Sequence, residues 1–100
     1  MFATVMIGAA DDLTIVAGAD HIRRIEPEPP FTHRRAFCGT CGSALGELHA
    51  GKMYVVAASA LDDDPGIRPS AHIHVASKPA WYQITDGLKQ FERDYMPATP

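Results

Sequence analysis

The sequence predicts a small, mainly β protein in which the strands are organised around a metal-binding turn. Three observations lead to this prediction. Short segments rich in Val, Ile, Phe and Thr recur along the chain, and turns rich in Gly, Pro and Asp separate them. The two cysteines, Cys38 and Cys41, lie in one such turn with strand-like sequence on each side. A helical period occurs in only one short segment, close to the C-terminus.

Length and charge limit the classes of function to be considered. A chain of 100 residues is long enough for one hydrophobic core, so we expect a single domain over residues 1–95 and a tail over 96–100. The net charge of −3 does not favour nucleic acid or an anionic membrane as a partner. No apolar run approaches the ~20 residues of a membrane span, and we expect no secretory signal because no basic segment precedes an apolar one at the start of the sequence. We therefore expect a cytoplasmic protein with reduced thiols.

The first half of the chain is predicted to form four strands. A turn is expected over residues 8–12, with a single helical turn over 10–13 as the alternative. Three prolines within residues 26–30 predict a loop, because proline lacks the backbone donor and restricts the residue before it. The predicted strands are residues 1–7, 13–17, 21–26 and 31–37.

The second half is predicted to contain a hairpin, one further strand and one short helix. Gly51 suits the turn of the hairpin. The acidic run at residues 62–64 is too short for a calcium-binding loop, so we expect a solvated loop over residues 59–69. The predicted elements are strands over residues 44–49, 52–58 and 71–76 and an amphipathic helix over 88–95.

Cys38 and Cys41 form the strongest functional signal. Two thiolates in the spacing Cys-x-x-Cys can bind one tetrahedral zinc ion, and Gly39 and Gly42 permit the positive φ angles that such a turn often needs. A four-coordinate site requires two further ligands. Three interpretations are open at this point: half of a structural zinc site, a redox dithiol, or two ordinary thiols.

Three other groups of residues are candidates for binding. His72 and His74 are expected to share one face of a strand, where two imidazoles could bind a metal or orient a substrate, although exposed polar residues show the same pattern. Trp81 is either a packing residue or the wall of a substrate pocket. The basic cluster at residues 33–35 is either a solvated edge or an anion-binding patch.

Several motifs occur in one order along most of the chain. Residues 37–43 read FCGTCGS, and an apolar strand follows them. The later motifs are Ala60-Leu61-Asp62-Asp63, Pro69, His72-Ile73, Ser77-Lys78 and Trp81. Together they closely resemble the glutathione-dependent formaldehyde-activating enzyme family, also called the CENP-V/GFA domain family, from about residue 2 to about residue 91. The first motif is common to many zinc-binding turns, and the later motifs make the resemblance specific.

The resemblance implies an Mss4-like β fold with Zn²⁺ and a carbon–sulfur lyase activity. Cys38 and Cys41 match the family's Cys-x-x-Cys half of a structural zinc site. The implied partner is glutathione or a related small thiol adduct, and His72 and Trp81, which lie in matching motifs, are the candidate substrate-binding residues. The family's other zinc ligands are an upstream Cys-x-Cys pair and a catalytic Cys-x-Cys-x-x-Cys cluster, and neither motif occurs in this sequence.

The missing cysteines predict a chain that is truncated at its N-terminus and impaired as a lyase. The zinc shell could then be completed by Cys38 and Cys41 of a second copy in a homodimer, because two-fold symmetry repeats every ligand. Otherwise His33 or His49 completes the shell, or the site stays empty. The alternative function is a non-catalytic, zinc-stabilised β module for binding or dimerisation.

Overall fold

The computed structural model describes residues 3–94, which divide into a larger compact unit before Gly66 and a smaller one that begins there. Seven strands and four single turns of 3₁₀ helix make up the regular structure of this part of the chain. The prediction of a mainly β protein is therefore confirmed. Residues 1 and 2 and the predicted tail lie outside the described residues.

The larger unit is a five-stranded antiparallel sheet with the strand order β1-β5-β4-β3-β2. Hairpin connections join β3 to β4 and β4 to β5, as the sequence predicts for residues 37–58. The strands are β1 (Val5–Ala9), β2 (Ile22–Arg24), β3 (Ala36–Cys38), β4 (Ala44–Ala50) and β5 (Met53–Ala57). The 3₁₀ turns of this unit are Ala10–Asp12, Ala19–His21 and Ala58–Ala60.

The centre of the sheet is packed most closely where β3, β4 and β5 meet. Ala36 is 2% exposed and Leu48 is 6% exposed, the most buried apolar side chains among the described residues. Gly46 pairs with Ala36 on one side and Val56 on the other, and it has a φ of +111°. The pairing of β4 shifts by one residue on each side of this point, so β4 contains two bulges.

The smaller unit contains one short parallel pair of strands. β6 (Ala71–His72) lies beside β7 (Lys89–Gln90), and a 3₁₀ turn follows at Val75–Ser77. The backbone N–H of Phe91 donates to the carbonyl of His72 at 2.8 Å and extends the pairing beyond the strands.

Two predictions about strands are wrong because apolar composition does not supply a pairing partner. Residues 13–17 form no strand, and Val16 is 92% exposed. Residues 31–35 are also irregular, so the strand predicted over 31–37 is reduced to β3. The side chain of Glu47 accepts hydrogen bonds from His33 and from the backbone N–H of Arg34, and these contacts replace strand pairing there.

The smaller unit differs from prediction at two further places. The segment expected to be a helix over residues 88–95 contains β7 instead, since its backbone pairs with a strand far away in sequence; residue 95 lies outside the described range. The strand predicted over 71–76 ends at His72, and His74 has a φ of +56° at the start of the 3₁₀ turn. His72 and His74 therefore do not share a strand face.

Candidate functional site

The turn that carries both cysteines is closed by its own backbone. β3 ends at Cys38, and the Cys38 N–H donates to the Ser43 carbonyl at 2.9 Å. The Gly42 N–H donates to the Cys38 carbonyl at 2.7 Å, and Gly42 has a φ of +79°, which glycine adopts without steric strain. These backbone hydrogen bonds, together with β3, define the path of the chain through the turn.

The surroundings of the Cys38 thiol in the turn lower its pKa. The backbone N–H of Cys41, then that of Thr40, and then the Cys41 thiol lower the pKa of the Cys38 thiol, because they stabilise the thiolate. The Cys41 thiol is exposed and donates to the Ser43 hydroxyl at 3.2 Å. Both cysteines are free thiols. Amides directed at a sulfur favour the thiolate, which is the form that binds metals and reacts as a nucleophile.

The two cysteine thiols are ligands of the kind that zinc binds, but they supply only half of a tetrahedral shell. Two thiolates two residues apart are typical of one half of a structural zinc site. Among the residues that the structure describes, no group of three or more His, Cys, Asp or Glu side chains is placed to hold a metal ion. The turn therefore presents two ligands and requires others to complete a shell.

Neither of the two histidines predicted to complete the shell lies with the cysteines. The His33 Nδ1 atom is 2.8 Å from Glu47 Oε2, where the ring is engaged with a carboxylate. His49 lies exposed on β4, close to the second hairpin. The described residues do not assemble His33 or His49 with Cys38 and Cys41 into a group of three ligands, so their role in a zinc shell stays a prediction.

His21 is the histidine that the structure brings to the turn. Its Nδ1 atom is 2.9 Å from the Thr40 hydroxyl oxygen, and its carbonyl accepts a hydrogen bond from the Gly39 N–H at 2.7 Å. The pairing of Ile22 with Cys38 across β2 and β3 sets this position. The sequence carries an indirect signal for the position of His21. If the predicted strands 21–26 and 31–37 pair as an antiparallel hairpin around the proline-rich loop, the start of the first strand lies beside the end of the second.

An open pocket of about 400 Å³ lies beside the cysteine turn. Its lining is mainly apolar and includes His21, Ile22, Cys38, Thr40 and Leu45. Leu45 is the extra residue at the first bulge of β4, between the pairs of Gly46 with Ala36 and of Ala44 with Phe37. The bulge therefore contributes a side chain to the wall of the pocket.

Arg23 lies against the same turn. A Cβ atom built on Gly39 would be 2.9 Å from the His21 carbonyl oxygen, 3.0 Å from Arg23 Cγ and 3.4 Å from Arg23 Nε. This close approach explains why the position holds glycine, and it places a permanent positive charge at the edge of the turn. The Arg23 Nη1 atom donates to the Asp20 carbonyl at 2.7 Å, which helps to orient the guanidinium.

The two residues predicted to bind substrate both lie in the smaller unit, in different surroundings. The His72 Nε2 atom is 2.7 Å from Asp86 Oδ2, and the His72 side chain is 10% exposed. The Leu88 N–H and then His72 lower the pKa of the Asp86 carboxyl, because both stabilise its charged form. His72 is therefore a largely buried imidazole with a carboxylate partner.

Trp81 presents an open aromatic surface in the same unit. It is 71% exposed and stands edge-on to Tyr82, with the ring centroids 6.4 Å apart. The Lys78 ammonium group, which is partly buried, donates to the Tyr82 carbonyl and to that of Pro79. An exposed indole suits contact with a ligand or a partner, whereas its assignment as a core residue is not supported.

Comparisons with known proteins give one family. No helix of the described residues is long and apolar enough to cross a membrane. Comparison with curated proteins and with solved structures yields no significant match. The sequence model of the glutathione-dependent formaldehyde-activating enzyme (GFA) family matches residues 1–77, a stretch that includes both cysteines and the whole five-stranded sheet. A match over this share of the chain shows that the protein belongs to the GFA family.

Proposed function

We propose that this chain is a zinc-binding GFA-family protein of the carbon–sulfur lyase type, directed at glutathione–formaldehyde adducts or related thiol adducts, with impaired lyase activity. The observation that carries the proposal is the cysteine turn, which is closed by backbone hydrogen bonds and holds the two cysteines of the sequence with two residues between them. Bound zinc would stabilise the two thiolates and so hold the turn. The impairment follows from the ligand count, because lyase chemistry in this family requires a zinc with an open position and its own ligands.

The pocket beside the turn supports a small thiol adduct as the ligand class. Its volume of about 400 Å³ lies in the range of small-molecule sites, ~300–1,000 Å³. Glutathione and its adducts carry carboxylates, and Arg23 places a guanidinium next to the turn, where it can pair with one of them. We further propose a reducing, cytoplasmic location, since both cysteines are free thiols.

The test measures binding and turnover separately on the zinc-loaded full chain. We expect reduced glutathione to shift the NMR signals of Cys38, Thr40 and Leu45 reversibly, and S-hydroxymethylglutathione to break down no faster than without protein. Arg23→Ala should weaken the binding, and Arg68→Ala, in the smaller unit, is the matched control. Efficient turnover would contradict the impairment, and a failure of glutathione to bind would contradict the ligand class.

A non-catalytic dimerisation module is the second candidate function. The observation that favours it is the exposed Cys41, which leaves one edge of the half-site open to a second copy. Two turns related by two-fold symmetry would present four thiolates to one zinc ion. We expect about half a zinc per chain on a dimer in this case. A zinc-loaded monomer, or a dimer that survives Cys38→Ser unchanged, would contradict it.

A further inference from the structure

The strand β1 lies at one edge of the five-stranded sheet, and its pairing with β5 determines which of its backbone groups remain available. The Ala58 N–H donates to the Thr4 carbonyl at 2.8 Å, and the Ala10 N–H donates to the Lys52 carbonyl at 2.9 Å. Hydrogen-bonded positions alternate along an antiparallel pair, so every second residue from Thr4 to Ala10 bonds to β5. The residues between them direct their N–H and carbonyl groups away from β5, and they are Val5, Ile7 and Ala9.

The outward side of β1 is open in the part of the chain that the structure describes. No described strand lies beyond β1, and no other described residue is hydrogen-bonded to the outward groups of Val5, Ile7 or Ala9. The side chains of Val5 and Ile7 are 42% and 52% exposed, whereas a Cβ atom built on Gly8, on the opposite face, would overlap the Tyr54 ring. β1 therefore presents both unpaired peptide groups and apolar side chains to solvent.

The opposite edge of the sheet has a protection that β1 lacks. β2 has three residues, and two of them are Arg23 and Arg24, whose charges repel a second copy of the same edge. β1 has five residues, VMIGA, none of which is charged or a proline. Charged side chains and prolines are usual means by which edge strands are kept from pairing. The sheet therefore has one charged edge and one apolar edge that is suited to pairing.

We propose that β1 is a homodimerisation edge, at which β1 of a second copy pairs in antiparallel orientation about a two-fold axis at Ile7. This register pairs the outward residues with one another, Ile7 with its own counterpart and Val5 with Ala9 in both directions. Each pair exchanges two hydrogen bonds, so every outward peptide group gains a partner. The two isoleucines lie side by side on the exposed face, and each valine has a small alanine beside it. A second copy is the partner that fits, because the strand is its own complement in this register.

The proposed interface is separate from the cysteine turn and does not depend on zinc. In the sheet, β5 and β4 lie between β1 and β3, the strand that ends at Cys38. This dimer therefore goes beyond the proposed function and differs from one in which two cysteine turns share a zinc ion. A pair of five-residue strands is small beside the ~1,200–2,000 Å² that stable interfaces bury, so we expect a weak dimer that dissociates on dilution.

Hydrogen exchange of the full chain, followed residue by residue by NMR at low and at high protein concentration, tests the pairing. The amides of Val5, Ile7 and Ala9 should exchange at least about tenfold more slowly at high concentration, where they are bonded across the interface. The amides of Met6 and Gly8 bond to β5 in both states and are the internal control. Exchange of all three outward amides that is independent of concentration would overturn the proposal.

Two charge variants at Ile7 test the register itself. Ile7→Lys and Ile7→Glu each place like charges directly opposite one another in the homodimer, so each variant alone should be monomeric in sedimentation velocity. An equimolar mixture should restore the dimer, because the pair then carries opposite charges. Val16→Lys is the matched control, since Val16 is 92% exposed and lies outside the strands, and it should dimerise as the wild type does. Circular dichroism verifies that each variant retains the sheet.

The results distinguish this dimer from one that is joined by zinc. The wild-type dimer should form equally with zinc and with a chelator, and it should persist in Cys38→Ser. A dimer that persists in Ile7→Lys, or one that Cys38→Ser abolishes, would overturn pairing through β1. A mixture of the two charge variants that stays monomeric would overturn the two-fold register. A wild-type chain that is monomeric at every concentration would overturn the proposal whether or not zinc binds, so this inference and the proposed function fail independently.

Discussion

Replacement of Gly46 by alanine is expected to be the most damaging single-methyl change in the sheet. Gly46 has a φ of +111°, and a Cβ atom there would overlap the Val55 carbonyl oxygen and lie 3.0 Å from both Ala57 N and Val56 Cα. All three atoms belong to the backbone of β5, which is hydrogen-bonded on both sides by β1 and β4. The obstacle therefore cannot move as a flexible side chain would.

The expected loss in the free energy of unfolding of Gly46→Ala is the sum of two separate penalties. A non-glycine residue held in such a conformation costs about 1–3 kcal/mol. An extra carbon forced into packed surroundings costs a further ~1–3 kcal/mol. The central sum is about 4 kcal/mol, against the ~5–15 kcal/mol by which small proteins are stable. For a chain of this size, that corresponds to a fall in Tm of about 15 °C or more.

Gly51→Ala is the matched control for the backbone term. Gly51 also has a positive φ, +66°, but nothing lies within 4 Å of a Cβ atom built on it. We expect a loss of about 1–2 kcal/mol there. Thermal unfolding followed by circular dichroism measures both variants. Equal falls in Tm for the two would refute the argument that contact with β5 dominates at Gly46.

Three further predictions concern the core, the histidine–carboxylate pair and the metal. Leu48 is 6% exposed, so Leu48→Ala should lower the free energy of unfolding by about 2–5 kcal/mol. Val16→Ala, at an exposed position, should change it by no more than ~0.5 kcal/mol. Equal effects of the two substitutions in urea unfolding would contradict the packing at Leu48. The pKa of Asp86 is lowered in the folded state, so its stabilising contribution is present above the unfolded pKa of ~3.9 and is lost as the pH falls through the folded value. Urea midpoints should therefore fall more steeply below about pH 4 for the wild type than for Asp86→Asn, and parallel profiles would refute this. Zinc at 100 times its Kd should raise stability by ~2.7 kcal/mol in the wild type and not in Cys38→Ser, as measured by the Tm with zinc and with a chelator; an equal rise in the variant would place the metal elsewhere.

The parts of the structure that the sequence predicts are those encoded locally. The cysteine turn combines a fixed Cys-x-x-Cys spacing with Gly42 at a positive φ, and the hairpin of β4 and β5 has Gly51 in its turn. Each depends on residues within a few positions of one another, so pattern and turn chemistry are sufficient. The resemblance to the GFA family rests on the same local motifs, and the family match bears it out.

The parts that the sequence does not predict depend on partners that are distant along the chain. Residues 13–17 are as apolar as a strand requires, but composition does not reveal whether a partner edge is available. The period of Leu88 and Phe91 fits a helix, yet the backbone between them pairs with β6. His74 adopts a positive φ that breaks the alternation expected of its strand, and nothing in its immediate sequence marks that break.

The candidate site likewise has one part that local sequence predicts and another that depends on pairing between distant segments. The spacing of Cys38 and Cys41 predicts a metal-binding turn, whereas the position of His21 beside that turn follows from the register of β2 against β3. Sequence proximity favoured His33, whose Nδ1 atom lies 2.8 Å from a carboxylate oxygen of Glu47. The histidine that lies beside the turn is therefore determined by the pairing of β2 with β3, in which Ile22 pairs with Cys38.

The hydrogen bonds of the cysteine turn also determine how metal and folding are coupled. In small zinc domains that lack a folded apo state, metal binding of ~10–16 kcal/mol is itself the folding energy. Here Cys38 belongs to β3, and its N–H and carbonyl are both hydrogen-bonded within the turn, so backbone hydrogen bonds hold the Cys38 end of the turn to the sheet. Zinc should therefore act as a ligand of a folded protein, adding stability in proportion to the logarithm of its concentration. A Cys38→Ser variant would then fold without zinc, so the zinc test on that variant can be interpreted as a test of binding rather than of folding.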